Sequence, residues 1–161
     1  MKNDIKLPPF MRTGWSRDLG SHLFSAEEII EFAEDYDPQI FHLDPVAAEK
    51  SLLGGLCASG WHTASVWMRQ MRETMAEELA RLESMAEPLF EFGPSPGFEK
   101  LHWYRPVYAG DTIAYSSETL ECRPSRSKPG WYLLKGLQSA TNEKGDPVIS
   151  FESIVLVKYP A

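Results

Sequence analysis

The sequence predicts an α+β domain in which one long helix lies on one face of an antiparallel sheet. Three observations carry this reading. The first part of the chain holds helix caps, the middle holds one long apolar periodicity, and the rest holds strand-like runs joined by tight turns. A chain of 161 residues with 43% hydrophobic and 24% charged residues is large enough for one core. We read residues 1–161 as a single domain, with residues 1–11 as an N-terminal arm that Pro8 and Pro9 keep irregular.

The elements follow in order. A short strand fits between Met11 and Leu23, weakened by Gly14 and Gly20. Ser25 is a helix N-cap with Glu28 as its capping-box partner, and Pro38 ends that helix. Asp44 and Pro45 start a short second helix, which Gly54 and Gly55 break. From Ser59 or Gly60 to about Met85, the residues Trp61, Ala64, Met68, Met71, Met75, Leu79, Leu82 and Ala86 recur at steps of three and four. That stripe predicts a buried helix face. After the loop from Pro88 to Gly97 come four strands, at Phe98–Tyr108, Thr112–Cys122, Gly130–Thr141 and Val148–Lys158. Their short connections predict an antiparallel meander.

Composition narrows the function. A net charge of −7, from 16 Lys+Arg against 23 Asp+Glu, argues against a nucleic-acid partner. No run is apolar enough for a membrane span or a signal peptide. Cys57 and Cys122 show no metal-type spacing and read as free thiols, so no metal is expected and a cytoplasmic location is. Five Trp and 12% aromatics exceed what one sheet-on-helix layer covers. A free edge strand also calls for pairing, so at least a homodimer is expected.

The polar residues that can carry chemistry cluster between Asp35 and His62. Asp37 and His42 flank a Pro-containing turn, from which both can point into one cleft as an acid–base pair. The plain alternative is a turn-capping Asp and an ordinary His. Ser59 and Gly60 open the long helix, whose free N–H groups and dipole suit a developing oxyanion. Equally, Gly60 could simply permit close packing. Asp35 reads as a solvated helix-end residue, and His22 and His102 as structural.

The run from Asp37 to Thr63, DPQIFHLDPVAAEKSLLGGLCASGWHT, resembles the signature of the MaoC-like dehydratases, the family of (R)-specific enoyl-CoA hydratases. The stretch LHWYRPVYAGDTI, Leu101 to Ile113, is similar to the same family's strand and turn. The resemblance implies a hot-dog fold, a central helix wrapped by an antiparallel sheet, dimerising edge to edge. It implies hydration or dehydration of a 2-enoyl thioester, with Asp37 and His42 as acid–base residues and the Gly60 N–H polarising the thioester carbonyl. Gln39 stands where the family often has Asn, and Ile40 where it usually has Pro. These departures imply a longer amide reach and a less rigid loop. Coenzyme A would enter as part of the substrate, with no separate cofactor, or an acyl carrier would take its place. Gln39, Ser59 and His62 are candidate pocket residues, and Arg105, Arg126 and Lys128, beside Arg123, are candidate phosphate partners. Two other functions fit the same fold. A thioesterase would place an acid early on the central helix, where the first acid here is Glu73. A non-catalytic acyl-binding subunit is the other.

Overall fold

A computed structural model describes residues 7–160. The elements are β1 (Ser16–Leu23), α1 (Ala26–Tyr36), α2 (Ile40–Leu43), α3 (Pro45–Glu49), α4 (Gly60–Ser84), β2 (Glu91–Phe92), β3 (Gly97–Trp103), β4 (Thr112–Pro124), β5 (Trp131–Thr141) and β6 (Pro147–Lys158). The sheet is antiparallel in every pairing and runs β1-β4-β5-β6, with β2 and β3 end to end along the far edge of β6. Its inner face wraps α4, which is the hot-dog architecture.

The caps lie where the sequence puts them. Ser25 Oγ accepts from the Glu28 N–H, and Glu28 Oε2 accepts from the Ser25 N–H. Asp44 caps α3 by accepting from the N–H groups of Val46 and Ala47. The meander expectation holds for β4, β5 and β6 only. β3 pairs with the last strand rather than with β4, from Gly97 opposite Ile154 to Trp103 opposite Ile149. The cause is the helix: α4 carries the chain to the far edge of the sheet, so the strand after it starts there. The expected continuation of that strand to Tyr108 shrinks to one bridge between Cys57 and Tyr108.

The arm also differs from expectation. Residues 1–6 of it lie outside the described residues. Pro9–Met11 form one 3-10 turn, and Phe10 and Met11 are buried with Phe90, Tyr132, Leu134 and Val157. This end of the chain closes the core under the distal half of α4.

The helix stripe is rotated from the apolar one. The buried face of α4 comprises His62, Thr63, Val66, Trp67, Gln70, Thr74, Met75 and Leu82, whereas Trp61 and Met68 are about half exposed, at 51% and 50%. Two buried contacts of this face are anchored by hydrogen bonds to the sheet. Trp67 Nε1 donates to Gln138 Oε1 at 3.0 Å, and Tyr115 Oη donates to the Thr63 carbonyl at 2.9 Å.

Ser25→Ala, which removes the α1 cap, should cost about 1 kcal/mol of stability. The shift of the urea midpoint at constant m-value measures it.

Candidate active site

The site is assembled from one end of α1, the turn α2 and the start of α4. Asp37 is the C-cap of α1, with its N–H donating to the Ala33 carbonyl. Pro38 forces the chain out of the helix immediately afterwards. Ile40–Leu43 then form a helical turn that the sequence reading did not anticipate, and this turn aims His42 back at Asp37. His42 Nε2 lies 3.4 Å from Asp37 Oδ2.

Both groups are held from behind. His42 is buried, and its Nδ1–H donates to the Cys57 carbonyl at 2.6 Å. This bond places the proton of a neutral ring on Nδ1 and leaves Nε2 with its lone pair toward Asp37. Ser59 Oγ donates to Asp37 Oδ2 at 2.7 Å, and Gln39 Nε2 donates to Oδ1 at 2.8 Å. Burial alone would raise the Asp37 carboxyl. The bonds from Ser59 and Gln39 and the neighbouring His42 outweigh it and hold the group below the usual carboxylate range. Asp37 is therefore ionised at neutral pH.

Ser59 is the N-cap of α4, and its Oγ also accepts from the Trp61 N–H at 3.3 Å. Gly60 is the first helical residue. Its N–H has no protein acceptor among the described residues, so it is open to an anionic oxygen. The Trp103 indole covers the other side of Gly60, with Nε1 donating to the Gly60 carbonyl at 3.0 Å. A Cβ at position 60 would come within 2.5 Å of that ring. Gly60 thus permits close packing and also leaves a free N–H.

These groups line an open cleft of about 430 Å³, closed on one side by Trp61, Trp103, Tyr104 and Arg105. A second, more enclosed cavity of about 290 Å³ lies between α4 and the sheet. It is walled by Trp67, Met71, Met75, Phe98 and Phe151, with Phe92 contributed by β2 and Gly93 by the loop before β3. Trp61 bridges the two regions, its ring 5.1 Å from Trp103 and 6.5 Å from Phe98.

Asp37, Gln39, His42, Ser59, Gly60 and Arg105 therefore come together. Gln39 and Ser59, expected to meet substrate, have their polar groups engaged by Asp37. His62 does not join them. Its ring turns away from the cleft, stacks on Phe32 at 4.6 Å and lies 3.2 Å from Glu28 Oε1. The helical step from Gly60 to His62 rotates the side chain about 200°, onto the α1 side. Arg126 and Lys128 are also placed elsewhere, in a cleft with Pro94, Ser95 and Leu156 at the opposite end of the sheet. Seven residues of β6 separate Ile149, opposite Trp103, from Leu156, which is roughly 23 Å of strand. The reading missed Trp103 and the Cys57 carbonyl. No local signal marks either, since each reaches the site only through tertiary contact. No cluster of metal-binding side chains occurs among the described residues, and no helix is long and apolar enough to cross a membrane.

The model of the MaoC like domain family matches residues 17–131, which include all of β1 but Ser16, the helices α1 to α4 and the whole cleft. The chain belongs to the MaoC-like domain family. A MaoC-like dehydratase from Rhodospirillum rubrum superposes with a TM-score of 0.74 at 30% identity, covering 93% of this chain and 94% of that one. The (R)-hydratase from A. caviae involved in PHA biosynthesis gives 0.62 at 22% identity over 92% and 97%, a likeness of fold. The uncharacterized protein YdeM of Bacillus subtilis is 29% identical over 136 residues, 83% of this chain and 86% of its own length.

The depressed Asp37 carboxyl has a consequence for stability. A carboxyl whose folded value lies below its unfolded value contributes stability above about pH 4, and that contribution is lost as pH falls through the folded value. The stability difference between wild type and Asp37→Asn should accordingly shrink as pH drops from about 5 toward 3. Urea titrations across that range measure it, and a constant difference would contradict the shift.

Proposed function

We propose that this MaoC-like protein reversibly adds water across a 2-enoyl thioester. The observation that carries the reading is the Asp37–His42 pair, 3.4 Å apart in a cleft that also holds the unpaired Gly60 N–H. The geometry supports the following roles. An ionised Asp37 and a neutral His42 with a bare Nε2 together bind one water. As the water oxygen bonds to C3, Nε2 takes one of its protons and the resulting imidazolium is paired with Asp37. Electron density moves from the double bond to the thioester oxygen, which the Gly60 N–H and the helix dipole stabilise. The imidazolium then returns its proton to C2 on the same face. Water is consumed, no other reactant is needed, and the thioester stays intact.

Arg105 at the cleft mouth, held loosely by Asp146 at 3.8 Å and by the Pro147 carbonyl at 3.3 Å, suits a phosphate of coenzyme A or of an acyl carrier. The apolar cavity beside α4 suits the acyl tail.

Loss of enoyl absorbance without thiol release tests the reaction. Asp37→Asn and His42→Ala should each lower kcat by about 10²–10⁴, measured on variants whose circular dichroism shows them folded at the assay temperature. Near-normal turnover in either variant would remove that residue from the mechanism. Thiol release by wild type would instead make the protein a thioesterase, a reading weakened by the position of Glu73 more than three turns along α4 from Gly60.

The same flank of the molecule supports a homodimer. β3 is bonded on one side only, and Trp61, Met68, Phe98 and Trp103 are exposed beside it. Sedimentation at micromolar concentration should give a dimer, and Phe98→Asp should shift it toward monomer. A monomeric wild type would refute the association.

A further inference from the structure

Away from the cleft, two imidazoles and a guanidinium gather around one carboxylate that the reaction above does not use. Glu28, in the first turn of α1, closes the capping box with Oε2. Its Oε1 accepts from His22 Nε2–H at 2.7 Å and from His62 Nε2–H at 3.2 Å. Arg69 donates to His22 Nδ1 at 3.0 Å, which leaves that nitrogen as an acceptor and puts the His22 proton on Nε2. The His62 Nδ1 is buried with no hydrogen-bond partner, as a bare lone pair in a neutral ring. Phe32 stacks on the His62 ring at 4.6 Å and 5°, and Phe24 meets it edge-on at 5.0 Å. Burial lowers the His62 pKa, Glu28 partly opposes this, and His22 and Arg69 add to it. The charged and titratable groups around His62 are thus Glu28 from α1, His22 from β1 and Arg69 from α4.

We propose that Glu28 is a positioning residue. Through His62 it sets the first turn of α4, with the Ser59 hydroxyl and the Gly60 N–H, against Asp37 at the far end of α1. The structure ties α1 to that turn at two places. One is the bond from Ser59 to Asp37, and the other is the contact of His62 with Glu28 and Phe32. A single hydrogen bond between two helices is a hinge, whereas a second attachment removes the rotation about it. Glu28 and Asp37 stand nine residues apart along α1, roughly 13 Å, so a small turn of α4 at His62 moves Gly60 and Ser59 relative to Asp37. Misplacement of about 1 Å in an acid–base site can cost on the order of 10² in rate. The kinetic part of this inference rests on the proposed hydration.

The test uses the full chain and four variants. Glu28→Ala removes the acceptor, Glu28→Gln retains one neutral oxygen to accept from His62 while its NH2 group gives up the bond from the Ser25 N–H, and His62→Phe retains the stacked ring without the bond. Ser25→Ala loosens the cap while leaving the His62 contact. Glu28→Ala and His62→Phe should each lower kcat at least about tenfold with KM within about twofold, and the double variant should be no worse than either. Glu28→Gln should recover most of kcat, and Ser25→Ala should lower stability with kcat unchanged. Independently of turnover, carboxyl NMR should show Asp37 titrating closer to its ordinary range in Glu28→Ala and His62→Phe, with the Gly60 amide resonance displaced. Additive kcat losses that merely track thermal midpoints, or an unmoved Asp37 titration and Gly60 amide, would overturn the proposal. A wild type that does not hydrate enoyl thioesters, with the Asp37 titration still moved by these variants, would sink the hydration reading and support the positioning role.

Discussion

The hydrogen bond from Ser59 to Asp37 joins the two helix ends on which the site depends. Ser59 is buried, and its hydroxyl serves two helices at once. It accepts the Trp61 N–H and so starts α4, and it donates to the carboxylate that closes α1. The hydroxyl has one proton and two lone pairs, so both duties fit one atom. Without this link, Asp37 would be an ordinary solvated helix-end acid, as Asp35 is.

Around that link the acidic and basic partners have been made unlike each other. Asp37 receives hydrogen bonds from two side chains and stays ionised. His42 gives its only neutral-state proton to a backbone carbonyl and offers a bare nitrogen. In the proposed hydration, environment rather than residue type would separate the two roles, because a carboxylate surrounded by donors and an imidazole behind an acceptor cannot exchange duties cheaply. The helix dipole then adds a third, non-titrating element at Gly60.

The rotation of α4 relative to its apolar stripe has a physical meaning. The sheet covers the side bearing Thr63, Val66, Trp67 and Gln70. The apolar side bearing Trp61, Met68 and Met71 is left to line the cavity and the open flank. A helix in a fold of this kind has two apolar surfaces to supply, one for the sheet and one for whatever lies beyond the cavity. Periodicity reports the larger side chains, so it reported the second surface more strongly than the first.

The sequence by itself determined the local facts. The Ser25–Glu28 and Asp44–Pro45 helix starts, the stop at Pro38, the length of α4, and the turns between β4, β5 and β6 follow from short-range backbone chemistry that neighbours in sequence decide. The Asp37–His42 pair and Gly60 were also legible, as a motif in a turn and a helix start. Tertiary structure alone decided the rest. It sent β3 to the edge of β6, placed the Cys57 carbonyl behind His42 and the Trp103 indole over Gly60, turned His62 toward Glu28, and put Arg126 and Lys128 at the far end of the sheet. Each of these depends on how α4 is rotated and where its end delivers the chain. Packing against the whole sheet sets that rotation, and no local pattern of residues encodes it.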